Sequence, residues 1–154
     1  PYNISSPILM WVLPYLKNIS GVQFLTQLEF ANRIAAKRST KAYGSLSVYC
    51  QLRSSVVKDC DVGRELFTPV PKVDSAIFTL KHRETEWSEQ ELNYAEKVAK
   101  AAFLMRRKML RNSMKQFMSP EQMESSPIEL TRRPDSLYPE EYIELGRYVL
   151  SLEH

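Results

Sequence analysis

Glycine is scarce in this 154-residue chain, with four residues at Gly21, Gly44, Gly63 and Gly146. No two are close enough to build the turn whose backbone amides wrap a phosphate, so a nucleotide-type cofactor must be held mainly by other residues. Histidine is scarcer still: His82 follows a strand-like run, and His154 closes a Leu-Glu-His tail over 152–154 that reads as tag-derived. Metal-dependent hydrolysis and a Ser-His-Asp triad are therefore poorly served, and no metal is expected. The two cysteines, Cys50 and Cys60, lack metal-site or redox spacing and are expected to be reduced, packed thiols. Long apolar runs are missing too. The longest, Ile8 to Leu13, falls far short of the ~20 residues that span a bilayer, and nothing ahead of it reads as a leader, so the expected compartment is the cytoplasm.

What is present is a globular composition, 44% apolar and 25% charged, enough for one ordinary core or for part of one domain plus a small second one. A mostly buried helix is expected over Pro7–Lys17, bent near Leu13 by Pro14. Ser5 or Ser6 can cap it, and Pro7 suits its first turn. Val22–Gln27 alternates as a strand, and Leu28, Ala31, Ile34 and Ala35 then recur at helical spacing. After the basic loop Lys37–Lys41, a helix carries Leu46, Tyr49, Cys50 and Arg53. A weak strand over Ser55–Asp61 and a clear one over Val73–Leu80 follow. Polar residues 82–88 mark a domain boundary. Beyond it everything reads as helix: Ser88 and Glu91 form a capping box, apolar spacing runs to Phe117 with a break near Leu104, Pro120 starts a short helix, and Pro139 starts the last one.

Two features carry chemistry. Lys100, Arg106, Arg107, Lys108, Arg111 and Lys115 lie in a stretch without acids, with Arg107, Arg111 and Lys115 four apart on one helix face. Solvated faces usually mix signs, whereas a single-sign run suits phosphate contacts. A second basic patch spans Arg33–Lys41. The other feature is a pair of aromatics in proline-stiffened turns. Tyr2 follows Pro1, and Phe67 precedes Thr68-Pro69-Val70-Pro71, which excludes helix and favours an extended loop. A lone ring is ordinarily core. Two rings at strand or helix ends, where open α/β sheets place ligands, can instead sandwich an extruded base.

The stretches Pro1-Tyr2-Asn3-Ile4-Ser5-Ser6-Pro7, Lys41-Ala42-Tyr43-Gly44-Ser45-Leu46-Ser47-Val48, Phe67-Thr68-Pro69-Val70-Pro71-Lys72-Val73-Asp74-Ser75-Ala76 and Arg106-Arg107-Lys108-Met109-Leu110-Arg111-Asn112 occur in one order over more than a hundred residues. In this the chain resembles the bacterial small-subunit ribosomal RNA adenine dimethyltransferases, over essentially its whole length and matching the later part of such an enzyme. The family's glycine-rich cofactor loop, the acidic residue that holds the ribose, and the asparagine opening Asn-x-Pro-Tyr are not among these residues. The implied fold is α/β: the C-terminal half of a Rossmann-like S-adenosylmethionine-dependent methyltransferase domain over 1–82, then a small all-helical RNA-binding domain over 83–154. By itself the first part would supply about three strands, an exposed edge and one uncovered face, so the chain is expected to be a portion of a longer protein, inactive alone.

The resemblance implies transfer of methyl groups from S-adenosylmethionine to two adjacent adenosines near the 3′ end of small-subunit rRNA, on an immature small ribosomal subunit. An adenine amine is a poor nucleophile because its lone pair is delocalised, whereas a sulfonium methyl is already electrophilic. Accepting hydrogen bonds from the amine and aligning nitrogen, methyl and sulfur matter more than acid or base. By the resemblance, the Pro1 carbonyl accepts one such bond and is the one candidate for cofactor contact. Tyr2 stacks on the base and Phe67 closes its other face. Lys72, Arg106, Arg107, Lys108 and Arg111 go to the RNA backbone, while Asn112 has no readable role. Ser45 stands where the family usually has a basic residue, which weakens that loop as a phosphate grip. The alternatives are a large-subunit rRNA methyltransferase of the antibiotic-resistance type, and a non-catalytic RNA-binding assembly factor.

Overall fold

In the computed structural model, residues 4–154 are described, and the sheet is built around its last strand. β1 (Val22–Gln27) and β2 (Ser54–Val62) both run antiparallel to β3 (Ser75–His82), which lies between them, so β1 and β2 are parallel to each other. Their connection crosses over through α2 (Leu28–Ala35) and α3 (Ser45–Arg53), as a parallel pair requires. Alternation sets the faces. Val22, Phe24 and Thr26 oppose Leu80, Phe78 and Ala76, and the Phe24 and Phe78 rings stack at 5.3 Å. In β2 the register shifts between Lys58 and Cys60. Asp59, in that irregularity, accepts hydrogen bonds from the Thr79 hydroxyl (2.6 Å) and the Gln23 amide (3.3 Å).

β3 begins at Ser75, two residues later than the strand expected from Val73. Asp74 explains the difference, because its carboxylate accepts from the Arg64 N–H (3.0 Å) and its carbonyl from the Leu28 N–H (2.9 Å). Those bonds turn the chain out of the ladder and leave Val73 exposed. A larger departure concerns α1 (Ser5–Val12), expected to be mostly buried. Leu9 is its one buried residue, followed by Leu13 and Leu16 in the 3₁₀ turn Leu13–Asn18 that holds Pro14. Ile8, Met10 and Tyr15 are exposed, and Trp11 is 70% exposed. One side of α1 meets the cluster of Ala31, Ile34, Cys50, Ala76, Phe78 and Leu80, and Ser6 and Met10 line a depression shared with Leu46, Tyr49 and Glu96. Cys50 is packed as expected and burial pushes its thiol well up, whereas Cys60, beside the β2 irregularity, is exposed.

The second core is helical. α4 (Glu89–Leu104) starts on the expected capping box: Ser88 Oγ accepts from the Glu91 N–H (3.1 Å) and the Glu91 carboxylate from the Ser88 N–H (2.8 Å). α7 (Pro139–Leu152) packs on α4, with α5 (Leu110–Met114) and α6 (Pro120–Glu124) beside them. Residues 105–109 form a turn, so Arg107 and Arg111 do not share one helix face. The break near Leu104 is fixed from outside, since the Leu110 and Arg111 amides donate to the carbonyls of Arg132 (2.8 Å) and Leu130 (2.9 Å). α3 joins the two cores, with Cys50 in the sheet cluster and Val48 and Leu52 in the helical one. The loop after α2 adds Ala36 and Tyr43 to the helical core. No helix among the described residues is long and apolar enough to cross a membrane.

Candidate nucleic-acid interface

Between the sheet and the helical bundle lies an open groove of about 900 Å³ into which five cations converge: Arg33, Lys41, Arg64, Lys72 and Arg106. They come from four places. Arg33 is on α2, which starts where β1 ends, the position at which open α/β sheets hold ligands. Lys41 lies on the loop between α2 and α3, Arg64 and Lys72 on the loop between β2 and β3, and Arg106 in the turn after α4. Glu29 and Asp74 are the two acids in the lining.

The loop bearing Lys41 is tied down at both ends. Ser39 adopts a left-handed conformation (φ 63°), unusual outside glycine, and its N–H donates to the Asp135 carbonyl at 2.7 Å. Arg38 stacks over Tyr138 (4.1 Å) and donates to the Ser136 carbonyl. The buried Tyr43 hydroxyl donates to the Leu137 carbonyl at 2.7 Å, and burial raises its pKa strongly. Ser47 Oγ accepts from the Gly44 N–H (3.1 Å) and donates to the Arg33 carbonyl. From the opposite wall, Arg106 donates to the carbonyls of Tyr43 and Thr40, lies over the Phe103 ring (5.8 Å) and is 3.9 Å from Asp135.

The other loop is stiffened by its own contacts. Arg64 donates to the Lys72 carbonyl at 3.0 Å, in addition to the backbone bond to Asp74, and Thr68-Pro69 is cis. Phe67, on the same loop, is extended and half-buried outside the helical and sheet clusters. The stretch that presents this ring thus also supplies Arg64 and Lys72 to the groove.

Of the residues singled out in the sequence, Lys72 and Arg106 meet in the groove. Arg107 and Lys108 are exposed in the turn after α4, and Arg111 is exposed on α5, none of them lining the groove. Pro1 and Tyr2 lie outside the described residues. Sequence reasoning assigned no site role to Arg33, Lys41, Arg64 or Phe103. The basic patch of 33–41 was the available signal for the first two. Nothing marked Arg64, and Phe103 at helical spacing reads as core. No group of three or more His, Cys, Asp or Glu among the described residues could hold a metal. A nucleotide cradle is equally lacking there: the four glycines are dispersed, and Gly146 is closed by the backbone of Ala95. The groove's chemistry is that of polyanion binding, with Phe67 as a neighbouring flat surface.

Comparison with known proteins agrees in kind. A family model described as ribosomal RNA adenine dimethylase matches residues 1–151. A ribosomal RNA small subunit methyltransferase A from Legionella pneumophila (strain Lens) is 39% identical over 150 residues, 97% of this chain and 59% of that protein. The protein of the same name from Psychromonas ingrahamii is 35% identical, with 99% of this chain and 57% of that one covered. The chain thus spans less than two thirds of the length of these relatives. Among solved structures, the 23S rRNA methyltransferase ErmE superposes with a TM-score of 0.69 at 26% identity, over 97% of this chain and 62% of that one. A dimethyladenosine transferase from Plasmodium falciparum superposes at 0.74 and 24% identity, over 94% and 62% respectively, a likeness of fold. The α/β architecture followed by helices is that of rRNA methyltransferases.

Proposed function

Because the chain belongs to the ribosomal RNA adenine dimethylase family, we propose that it forms the base-presenting and RNA-binding part of an S-adenosylmethionine-dependent enzyme that dimethylates two adjacent adenosines near the 3′ end of small-subunit rRNA, on an immature small subunit. The observation that carries this reading is the shared loop: Phe67 and two of the five groove cations sit on one stiff segment. A ring that closes over an extruded adenine and cations that take the flanking phosphates must be positioned together, and one loop does both. Residues 1–82 belong to the catalytic part and 83–154 to the helical RNA-binding part.

On this chain the work lies on the acceptor side. Pro1 offers its carbonyl to the adenine amine, and Tyr2 and Phe67 hold the base between them, so that the nitrogen lone pair is localised and aimed. The methyl donor supplies the electrophile. None of the described residues builds a cradle for that cofactor, the four glycines being dispersed. Lys72, Arg106, Arg107, Lys108 and Arg111 contact RNA backbone, with Arg33, Lys41 and Arg64 added by the groove.

The likeness to ErmE supports a second reading, transfer to large-subunit rRNA. Labelled methyl transfer from S-adenosylmethionine, using the product of the complete gene and separated subunits, distinguishes them. The expected result is label in adenosines of the immature small subunit alone, reduced about ten-fold or more by Phe67→Ala or Tyr2→Ala, in line with ~1–3 kcal/mol of stacking per base. Label in the large subunit selects the second reading, and binding without transfer selects a non-catalytic assembly factor.

A further inference from the structure

The helical part carries a second depression that shares no residue with the groove. It measures about 560 Å³ and is lined by Arg111, Asn112, Lys115, Met118, Ser119 and Met123. Its rim is cationic: Arg111 and Lys115 are exposed, one helical turn apart, and neither is ion-paired among the described residues. Its floor is thioether. Met118 is 5% exposed and packed into the helical core, and Met123 is half-buried beside it. Ser119 is already used, accepting from the Gln122 N–H (3.3 Å) and donating to the Glu121 carboxylate (2.8 Å). Asn112 is only half used: its amide nitrogen donates to the Met109 carbonyl at 3.3 Å, which orients the side chain and leaves its carbonyl oxygen as an acceptor.

Two cations, an apolar polarisable floor and one fixed acceptor match the parts of a single nucleotide. Phosphate meets the cations, and the base lies on sulfur, which contacts aromatic rings favourably. The volume falls within the range of small-ligand sites. Sequence-specific proteins take RNA bases from loops and bulges, where they are unstacked. We infer that this pocket holds one unstacked nucleotide from an RNA loop, with Arg111 and Lys115 on its phosphates, Met118 and Met123 under its base, and the Asn112 carbonyl oxygen accepting from an N–H on the base edge. It is a second foothold on the RNA, independent of the adenosine being modified, and it rests on the RNA-modifying reading above.

The test uses the product of the complete gene and small-subunit RNA. Arg111→Gln with Lys115→Gln should weaken binding about ten-fold and flatten the slope of log K against log salt by about 1.4, two contacts at ~0.7 each for unpaired strands. Asn112→Leu should weaken binding with no change in slope, a separation that a merely structural role would not produce. A benzophenone amino acid in place of Met123 should cross-link to one nucleotide. An unchanged slope in the double variant, or cross-linking scattered over many nucleotides, overturns the assignment. If the unsubstituted protein binds and methylates RNA while the double variant keeps its slope, the pocket alone is misassigned. If the unsubstituted protein neither binds nor methylates, the enzymatic reading falls with it.

Discussion

Arg132 engages Glu141 with both terminal nitrogens, at 2.6 and 3.0 Å, and Ser136 with Nη2 and Nε. Glu141 in turn accepts the Tyr138 N–H at 2.7 Å, closing the first turn of α7. The guanidinium beside it, and then the Tyr138 amide, hold the Glu141 carboxyl below its ordinary 4.5 despite partial burial. A carboxylate whose folded pKa is depressed stabilises the fold fully above its unfolded value, and that contribution fades as pH falls through the folded one. Arg132→Met should therefore cost about 2 kcal/mol at pH 7, the scale of a charge-assisted pair with some solvent screening. The gap between the two proteins in urea melts should narrow below pH 4.5, and an equal gap at pH 7 and pH 3 would contradict the electrostatic account. Arg132→Lys should recover little, because an ammonium cannot supply the planar fork. Glu96 titrates in the opposite sense. Burial raises its carboxyl more than the Arg53 partner at 2.7 Å lowers it, so its contribution is present in acid and lost as pH rises.

Among the elements, α4 and α7 are in close backbone approach at Gly146. A Cβ built there would stand 2.6 Å from the Ala95 nitrogen and 2.8 Å from its Cα, both backbone atoms that cannot step aside. Gly146→Ala improves intrinsic helix propensity by about 1 kcal/mol, yet it should destabilise the protein by ~2–3 kcal/mol net, because the two helices must separate. That corresponds to a melting temperature lower by roughly 5–10 °C for a chain of this size, measurable by calorimetry. A melting temperature equal to or above that of the unsubstituted protein would show that the helices are not in register at this point. Elements defined by local chemistry were legible in the sequence. The Ser88 and Glu91 box, Pro120 and Pro139 at helix starts, and the alternation of 22–27 depend on residues within a few positions of each other. What failed depended on distant partners. The shared helix face expected for Arg107 and Arg111 is lost because the amides of 110 and 111 bond to carbonyls at 132 and 130, and β3 starts late because Asp74 reaches Arg64 and Leu28.

For the molecule as a whole, the groove is a product of convergence. Positions 33 and 41 belong to one basic patch of the sequence, 106 to another and 64 and 72 to neither, and only the crossover of α2 and α3 and the clamp from Arg106 to Thr40 and Tyr43 bring them to one groove. The contiguous run at 106–111 was the stronger signal in one dimension, and the fold divides it: Arg106 points its donors at the 40–43 loop, while Arg107 and Lys108 stay exposed. Replacing Arg33, Lys41 and Lys72 together with Gln in the product of the complete gene should flatten the salt dependence of RNA binding by about 2, three contacts at ~0.7 each, and lower affinity without a large change in the melting temperature. An unchanged slope would remove the groove from the RNA path.

The central place of β3 also has a consequence in time. Among the described residues, the hydrogen-bonding partner of β1 is β3, with Val22 opposite Leu80 roughly sixty residues later in the chain, and at ~5–20 residues per second a ribosome takes some 3–12 seconds to make that stretch. In the finished sheet β1 and β2 do not pair with each other, so the ladder between them depends on β3, the last of the three strands to be made. The strand that joins them begins directly after the loop of Phe67 and Lys72, so the ring-bearing loop is made immediately before the strand that completes the sheet.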